Sequence, residues 1–205
     1  MVIEVTSKHN AQPDHAPEMK YRLLKDVSDT QRHGTKRAFG PQLVCKQYWF
    51  EASEVLISSC TFMFHAPRYF QDFVLSGQNV VSQVRRVKMS LVLHDTTWQR
   101  NEMTQTFSAS AVGELKNLEG VHFEFYCWMH ESPARWNSDL MKDASWARSK
   151  LPVVLRAFQQ HPLKKELTKV TPKYNDSDRM PELCARIRGH LLEHHPRRTS
   201  GRRSR

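Results

Sequence analysis

No apolar stretch of this 205-residue sequence approaches the ~18 consecutive residues of a membrane-spanning helix. The opening Met1-Val-Ile-Glu-Val-Thr lacks a basic start and a sufficiently long apolar run, so it does not read as a secretory signal. Cysteine is sparse, and Cys45, Cys60, Cys127 and Cys184 are too widely spaced for a secreted disulfide framework. They are read as reduced core residues of a cytoplasmic or nuclear protein. The sequon Asn175-Asp-Ser177 then meets no glycosylating compartment. Glycine numbers only 7 and is scattered singly, leaving no Gly-rich phosphate loop and no Gly-Lys-Ser/Thr element. A Gly-x-Ser-x-Gly nucleophile turn is missing too. Apolar residues make up 39% of the chain, under the roughly 45–50% of a compact domain. That shortfall places surplus polar residues at the two ends.

What the sequence does hold is aromatic surface and positive charge. Ten Phe, 5 Tyr and 5 Trp are enough to offset the entropy of ordering a core. The formal charge of +10 favours polyanionic partners: nucleic acid, an anionic membrane or an acidic protein surface.

The pattern divides the chain into a mobile polar arm over residues 1–38, an α/β core over 39–178, a C-terminal helix over 179–195 and a basic disordered tail over 196–205. Within the arm only 19–27 has the pattern of a short amphipathic turn or strand. Val44, Cys45, Tyr48, Ala52, Val55 and Leu56 fall at helical spacing, and Ser58-Ser59 closes that helix. Cys60, Phe62 and Phe64 alternate as a strand does. Pro67 then opens a helix with the stripe Tyr69, Phe70, Phe73 and Val74, capped near Gly77. Val87, Met89, Leu91 and Leu93 predict a second strand. Ala111, Val112, Leu115 and Leu118 predict a helix closed by Gly120, and Val121, Phe123, Phe125 and Cys127 a third strand. Helix follows over 140–158, split or kinked at Pro152. A fourth, weaker strand is expected over 163–170 and a helix over 181–194. Strands separated by helical lengths require crossovers, hence a small, irregular, largely parallel sheet. The strand-to-strand spacing of roughly 25–35 residues overlaps that of a degenerate leucine-rich-repeat-like layer.

Gln42-Leu-Val-Cys-Lys-Gln-Tyr-Trp-Phe-Glu-Ala-Ser53, followed by Ser59-Cys-Thr-Phe-Met-Phe64, resembles a pattern of filamentous-fungal F-box-like proteins of unknown function. The aromatic pair Tyr69-Phe70 and the Val-Arg-Arg-Val lead-in over 84–87 fit the same pattern. The likeness covers residues 42–93 and, more loosely, the chain to about 160. The Leu-Pro-x-Glu-Ile-Arg helix that gives such proteins their F-box likeness is missing from residues 34–41. The resemblance therefore implies a fold and a fungal origin without a reaction or a ubiquitin-ligase contact.

Few residues invite chemistry. His190-Leu-Leu-Glu193-His194 matches the inverted zinc-peptidase order, and both imidazoles would share a helix face. No acidic residue follows to complete the ligand set, so an exposed helix end is the preferred reading. Cys127 and His130 form one half of a zinc site with no second half nearby in sequence apart from the C-terminal His cluster. Asp95 and Glu124 could lie near strand ends, where capping or solvation explains them. Trp98, Trp128, Trp136 and Trp146 interleave with Arg100, Arg135 and Arg148 and are read as core aromatics before base-stacking groups. No catalytic set, metal site or cofactor is expected. Arg197, Arg198, Arg202, Arg203 and Arg205 form a tail suited to nuclear import or nonspecific phosphate contact. The expected function is a non-catalytic protein-interaction module of the fungal F-box-like kind, with regulation as one use. The alternatives are a nuclear nucleic-acid-associated protein acting through the tail, and an accessory factor or enzyme of a fungal biosynthetic pathway.

Overall fold

The computed structural model describes residues 2–8, 18–24, 54–76, 79–93, 103–127, 141–172 and 180–193. They contain six strands, β1 (Val2–Lys8), β2 (Glu18–Leu24), β3 (Thr61–Phe64), β4 (Arg86–Leu93), β5 (Gly120–Cys127) and β6 (Lys169–Pro172). These join in one sheet of order β2-β1-β3-β4-β5-β6. Only the β1–β2 pair is antiparallel; every other neighbour is parallel. The helices are α1 (Pro67–Leu75), α2 (Asn79–Gln83), α3 (Ala109–Gly113), α4 (Asp143–Arg148), α5 (Leu151–Phe158) and α6 (Met180–Leu192), with shorter helical pieces at 54–59 and 103–106. The fold is α/β, with a mixed but mostly parallel sheet. From β3 to β6 the strands lie side by side in sequence order, as in a repeat layer, although the connections differ in length. No helix among the described residues is long and apolar enough to cross a membrane.

Strand alternation sets the core. Ile3, Val5, Phe62, Phe64, Val87, Met89, Leu91, Val121, Phe123 and Phe125 are all buried in one cluster with Phe70, Phe73, Val112, Val154, Phe158, Leu183 and Ile187 of the helices. Because residues i and i+2 of a strand share a face, this single cluster puts the described helices on one side of the sheet. Aromatic rings carry the packing: Phe64 meets Phe70 edge-on at 5.5 Å, Phe107 bridges Phe70 and Phe158, and Phe158 meets Phe123 edge-on at 5.2 Å. Such pairs add about 0.5–1.5 kcal/mol each beyond the area they bury.

The expected strands at 60–64, 87–93 and 121–127 are present, and Pro67 opens α1 as anticipated. The split near Pro152 is real: Lys150 takes a left-handed φ of 65° between α4 and α5, and Pro152 lies in the first turn of α5. Of the first predicted core helix, residues 54–59 are helical and 44–53 lie outside the described residues, as does Gly77.

Four expectations are corrected. Residues 2–8, assigned to a mobile arm, form β1 inside the sheet between β2 and β3; the hairpin partner β2 falls on the 19–27 stretch expected as a short turn or strand. The β-branched Val2, Ile3, Val5 and Thr6 suit a strand, and fully buried Ile3 and Val5 hold it against the core. The helix expected over 111–118 ends at Gly113; Leu115 and Leu118 reach the core through turn hydrogen bonds three residues apart (Leu115 to Val112, Leu118 to Leu115). Gly120 caps no helix but starts β5, and the fourth strand begins at Lys169 after a 3₁₀ turn at Lys165–Leu167.

Gly120 is needed for close approach. A Cβ there would lie 2.5 Å from Leu167 Cβ and 2.7 Å from its carbonyl oxygen. Gly120→Ala is expected to cost about 1–3 kcal/mol by forcing β5 and the 3₁₀ turn apart, read as a lowered denaturant midpoint. An unchanged midpoint would refute this contact.

Candidate functional site

The side of the sheet opposite the helices carries most of the polar side chains that the strands bring together. Register places Glu4, Met63, Lys88, His122 and Lys169 in one row across β1, β3, β4, β5 and β6. The next row contains Ser90, Glu124 and Thr171. Val2 and Met63 form a small apolar cluster of their own on this face.

Lys88 is the unusual member, with only 5% of its side chain exposed. Its ammonium lies 2.6 Å from Glu124 Oε1, and Ser90 Oγ donates to Glu124 Oε2 at 3.3 Å. Burial raises the Glu124 carboxyl, but the Lys88 hydrogen bond and charge, with smaller help from His122 and Ser90, outweigh it and hold the group below its ordinary 4.5. His122 Nε2 pairs with Thr171 Oγ1 at 2.9 Å. Burial first, and the Lys88 charge second, push this imidazole below its ordinary 6.5, so it is neutral at pH 7. At the β1 side, His65 Nε2 lies 2.8 Å from Glu4 Oε1. On the helix face, Ser7 Oγ donates to the buried carboxylate of Asp72.

This arrangement is a set of matched pairs. Lys88 is engaged by the Glu124 carboxylate, and the neutral histidine by a threonine hydroxyl. Among the described residues, no group of three or more His, Cys, Asp or Glu side chains could hold a metal ion.

Among the described residues, Glu124 is the one residue singled out from sequence that falls on this face. His190 lies on α6, stacked on Trp146 with ring centres 5.2 Å apart and 23° between planes, and its Nδ1 is 3.3 Å from Glu193 Oε2. Arg186, one turn earlier, places its guanidinium 4.5 Å from the centre of the Trp146 ring. His190 and Glu193 are thus brought together, while His194 lies outside the described residues. Trp146 is buried, as read from the sequence. Cys60 and Cys184 are buried free thiols, and desolvation pushes Cys184 up to about 11, away from reactivity. Cys127 ends β5, while Cys45, Asp95, Trp98, Trp128, His130, Trp136 and the tail arginines Arg197, Arg198, Arg202, Arg203 and Arg205 lie outside the described residues. Glu124, read from sequence as a cap or solvated group, is instead the anion of a half-buried pair. Lys88, Ser90 and His122 were not singled out, although their alternation with the core residues of β4 and β5 puts them on one face.

No protein-family model, curated protein or solved structure matches the chain.

Removing one partner of the pair separates its two contributions. Glu124→Gln leaves Lys88 buried without a counter-charge and is expected to cost about 2–4 kcal/mol, below the 3–5 of a fully buried pair because 23% of the Glu124 side chain is exposed. Lys88→Met combined with Glu124→Gln should recover most of that loss; a double variant as unstable as the single would refute the pairing.

Acid sensitivity follows from the same groups. The depressed Glu124 gives stability present above pH 4.5 and lost as pH falls through its folded value. The depressed His122 makes the folded state take up protons less readily than the unfolded chain, so stability declines as pH falls below 6.5. His122→Gln should flatten the part of the unfolding profile just below pH 6.5 and leave the part below 4.5 in place. A profile identical to the parent's would show that His122 is not the group responsible.

Proposed function

We propose that the chain is a non-catalytic protein-interaction module of the fungal F-box-like kind, working in the cytoplasm or nucleus. The observation that carries this reading is the mutual pairing of Lys88 with Glu124 and of His122 with Thr171. These ionisable groups stabilise the sheet and one another, and so are spent on holding shape. A small rigid layer with helices on one side and a charged, hydrogen-bonded sheet face on the other suits surface recognition. The likeness over residues 42–93 supports the family, and the missing Leu-Pro-x-Glu-Ile-Arg helix argues for partners outside a ubiquitin ligase.

A second reading, nucleic-acid association through the basic tail, is favoured by where charge concentrates. Residues 179–205 hold eight arginines against Glu182 and Glu193. Such binding weakens steeply with salt.

Affinity purification of the full chain from a fungal host should return a protein in stoichiometric amount that survives nuclease treatment. Recovery of the chain alone would overturn the interaction-module reading, and recovery of nucleic acid that depends on residues 196–205 would favour the second.

A further inference from the structure

The parallel strands begin along one edge of the sheet, and hydrogen bonds tie their leading residues together. Glu119 N–H donates to the Arg85 carbonyl at 2.8 Å, and Lys164 N–H to the Glu119 carbonyl at 2.7 Å. Arg86 donates to the Ser59 carbonyl, just ahead of β3. Asn117 Nδ2 reaches the Ser82 carbonyl at 2.8 Å. Arg188, on α6, donates from Nε to the Thr168 carbonyl at 2.9 Å and from Nη2 to the Lys165 carbonyl at 2.8 Å. Segments distant in sequence thus form one continuous rim.

The charge of this rim is one-sided. Arg85 and Lys164 share a single carboxylate, Glu119, at 3.5 and 2.8 Å. Arg86 and Arg188 are anchored by neutral carbonyls, which fix a guanidinium without cancelling its charge. Lys116 and Lys165 are exposed and make no ion pair among the described residues, and the same holds for Lys169, the first residue of β6, which stands where the His122 row of the polar face meets this rim. Seven cations therefore meet four carboxylates, Glu114, Glu119, Glu166 and Glu193, a surplus of three. The last turns of α6 lie at the same edge, because Arg188 reaches the residues before β6. The sequence from there adds five arginines and no carboxylate over residues 194–205.

We propose that this rim is a binding site for the phosphate backbone of nucleic acid, built on the folded body and separate from the tail. Strands lie about 4.8 Å apart, so cations from β4 to β6 span about 10 Å, the axial length of roughly three charges on a single nucleic-acid strand. Arginines already fixed by carbonyls lose little freedom on binding. A membrane surface is the poorer fit. Such binding combines cations with an inserted apolar face, and among the described residues the exposed large apolar ones, Val55, Leu75 and Val153, stand singly on three different helical segments.

The site goes beyond the tail reading, and the two fail separately. Binding of the full chain to a single-stranded RNA of about 20 nucleotides is measured by fluorescence anisotropy between about 50 and 200 mM salt. It is compared with the triple variant Lys116→Gln/Lys165→Gln/Lys169→Gln and with a chain lacking residues 196–205. The triple variant changes exposed side chains, and circular dichroism checks that it folds as the parent does. Losing three phosphate contacts should lower the salt slope by about 2, so that affinity falls about 20-fold less across that salt range than the parent's. An unchanged slope in the triple variant, with binding abolished by the tail deletion, overturns the rim and leaves the tail reading standing. Parent protein that ignores the RNA but binds phosphatidylserine vesicles overturns it as well.

Discussion

From β3 to β6 each strand lies beside its predecessor, and that adjacency fixes the placement of the other elements. Parallel neighbours need crossover connections, and crossovers in one sheet are overwhelmingly right-handed. When strands are added in a single direction, each right-handed crossover returns over the same side. The helices that pack against Phe62, Met89, Phe123 and Phe125 therefore share one face, and one aromatic core serves all of them. β1 extends this face at the other end by pairing in parallel with β3, and its antiparallel partner β2 forms the last strand.

One-sided layering gives the molecule surfaces of different chemistry. The helix side is mainly apolar, with the Ser7–Asp72 hydrogen bond set into it. On the second, polar sheet face Lys88 can be buried only because Glu124 accompanies it. The edge where the parallel strands begin is different again. Its carboxylates are outnumbered, and several of its cations are positioned by backbone carbonyls. The paired groups support the fold, and the proposed phosphate site lies on the unbalanced rim.

Local alternation made β3, β4 and β5 legible in the sequence, because Phe62/Phe64, Val87/Met89/Leu91 and Val121/Phe123/Phe125 mark one face without help from distant residues. β1 was hidden because apolar Val2 beside Ile3 interrupts the alternation of Ile3 and Val5 with Glu4 and Thr6; the strand is placed by β2, β3 and the core. The helix drawn through Leu115 and Leu118 shows the opposite error, since consecutive turns can bury residues at helical spacing. At the candidate site, alternation already put Lys88, Ser90, His122 and Glu124 on the polar side of their strands. What it lacked was the β4–β5 register that sets Lys88 opposite His122 and within reach of Glu124. The His190–Glu193 spacing was read as helical, and so it is; the Trp146 ring that occupies His190 could not be found from spacing alone.

The strand-ordered sheet takes in Val2–Lys8 as an interior strand. Amide hydrogen exchange of the full chain tests it most directly. Ile3 and Val5, hydrogen-bonded within the sheet and fully buried, should be protected to the same order as Phe62 and Phe64 of β3. Exchange of residues 2–8 at the rate of an unstructured chain, with β3 still protected, would contradict the account.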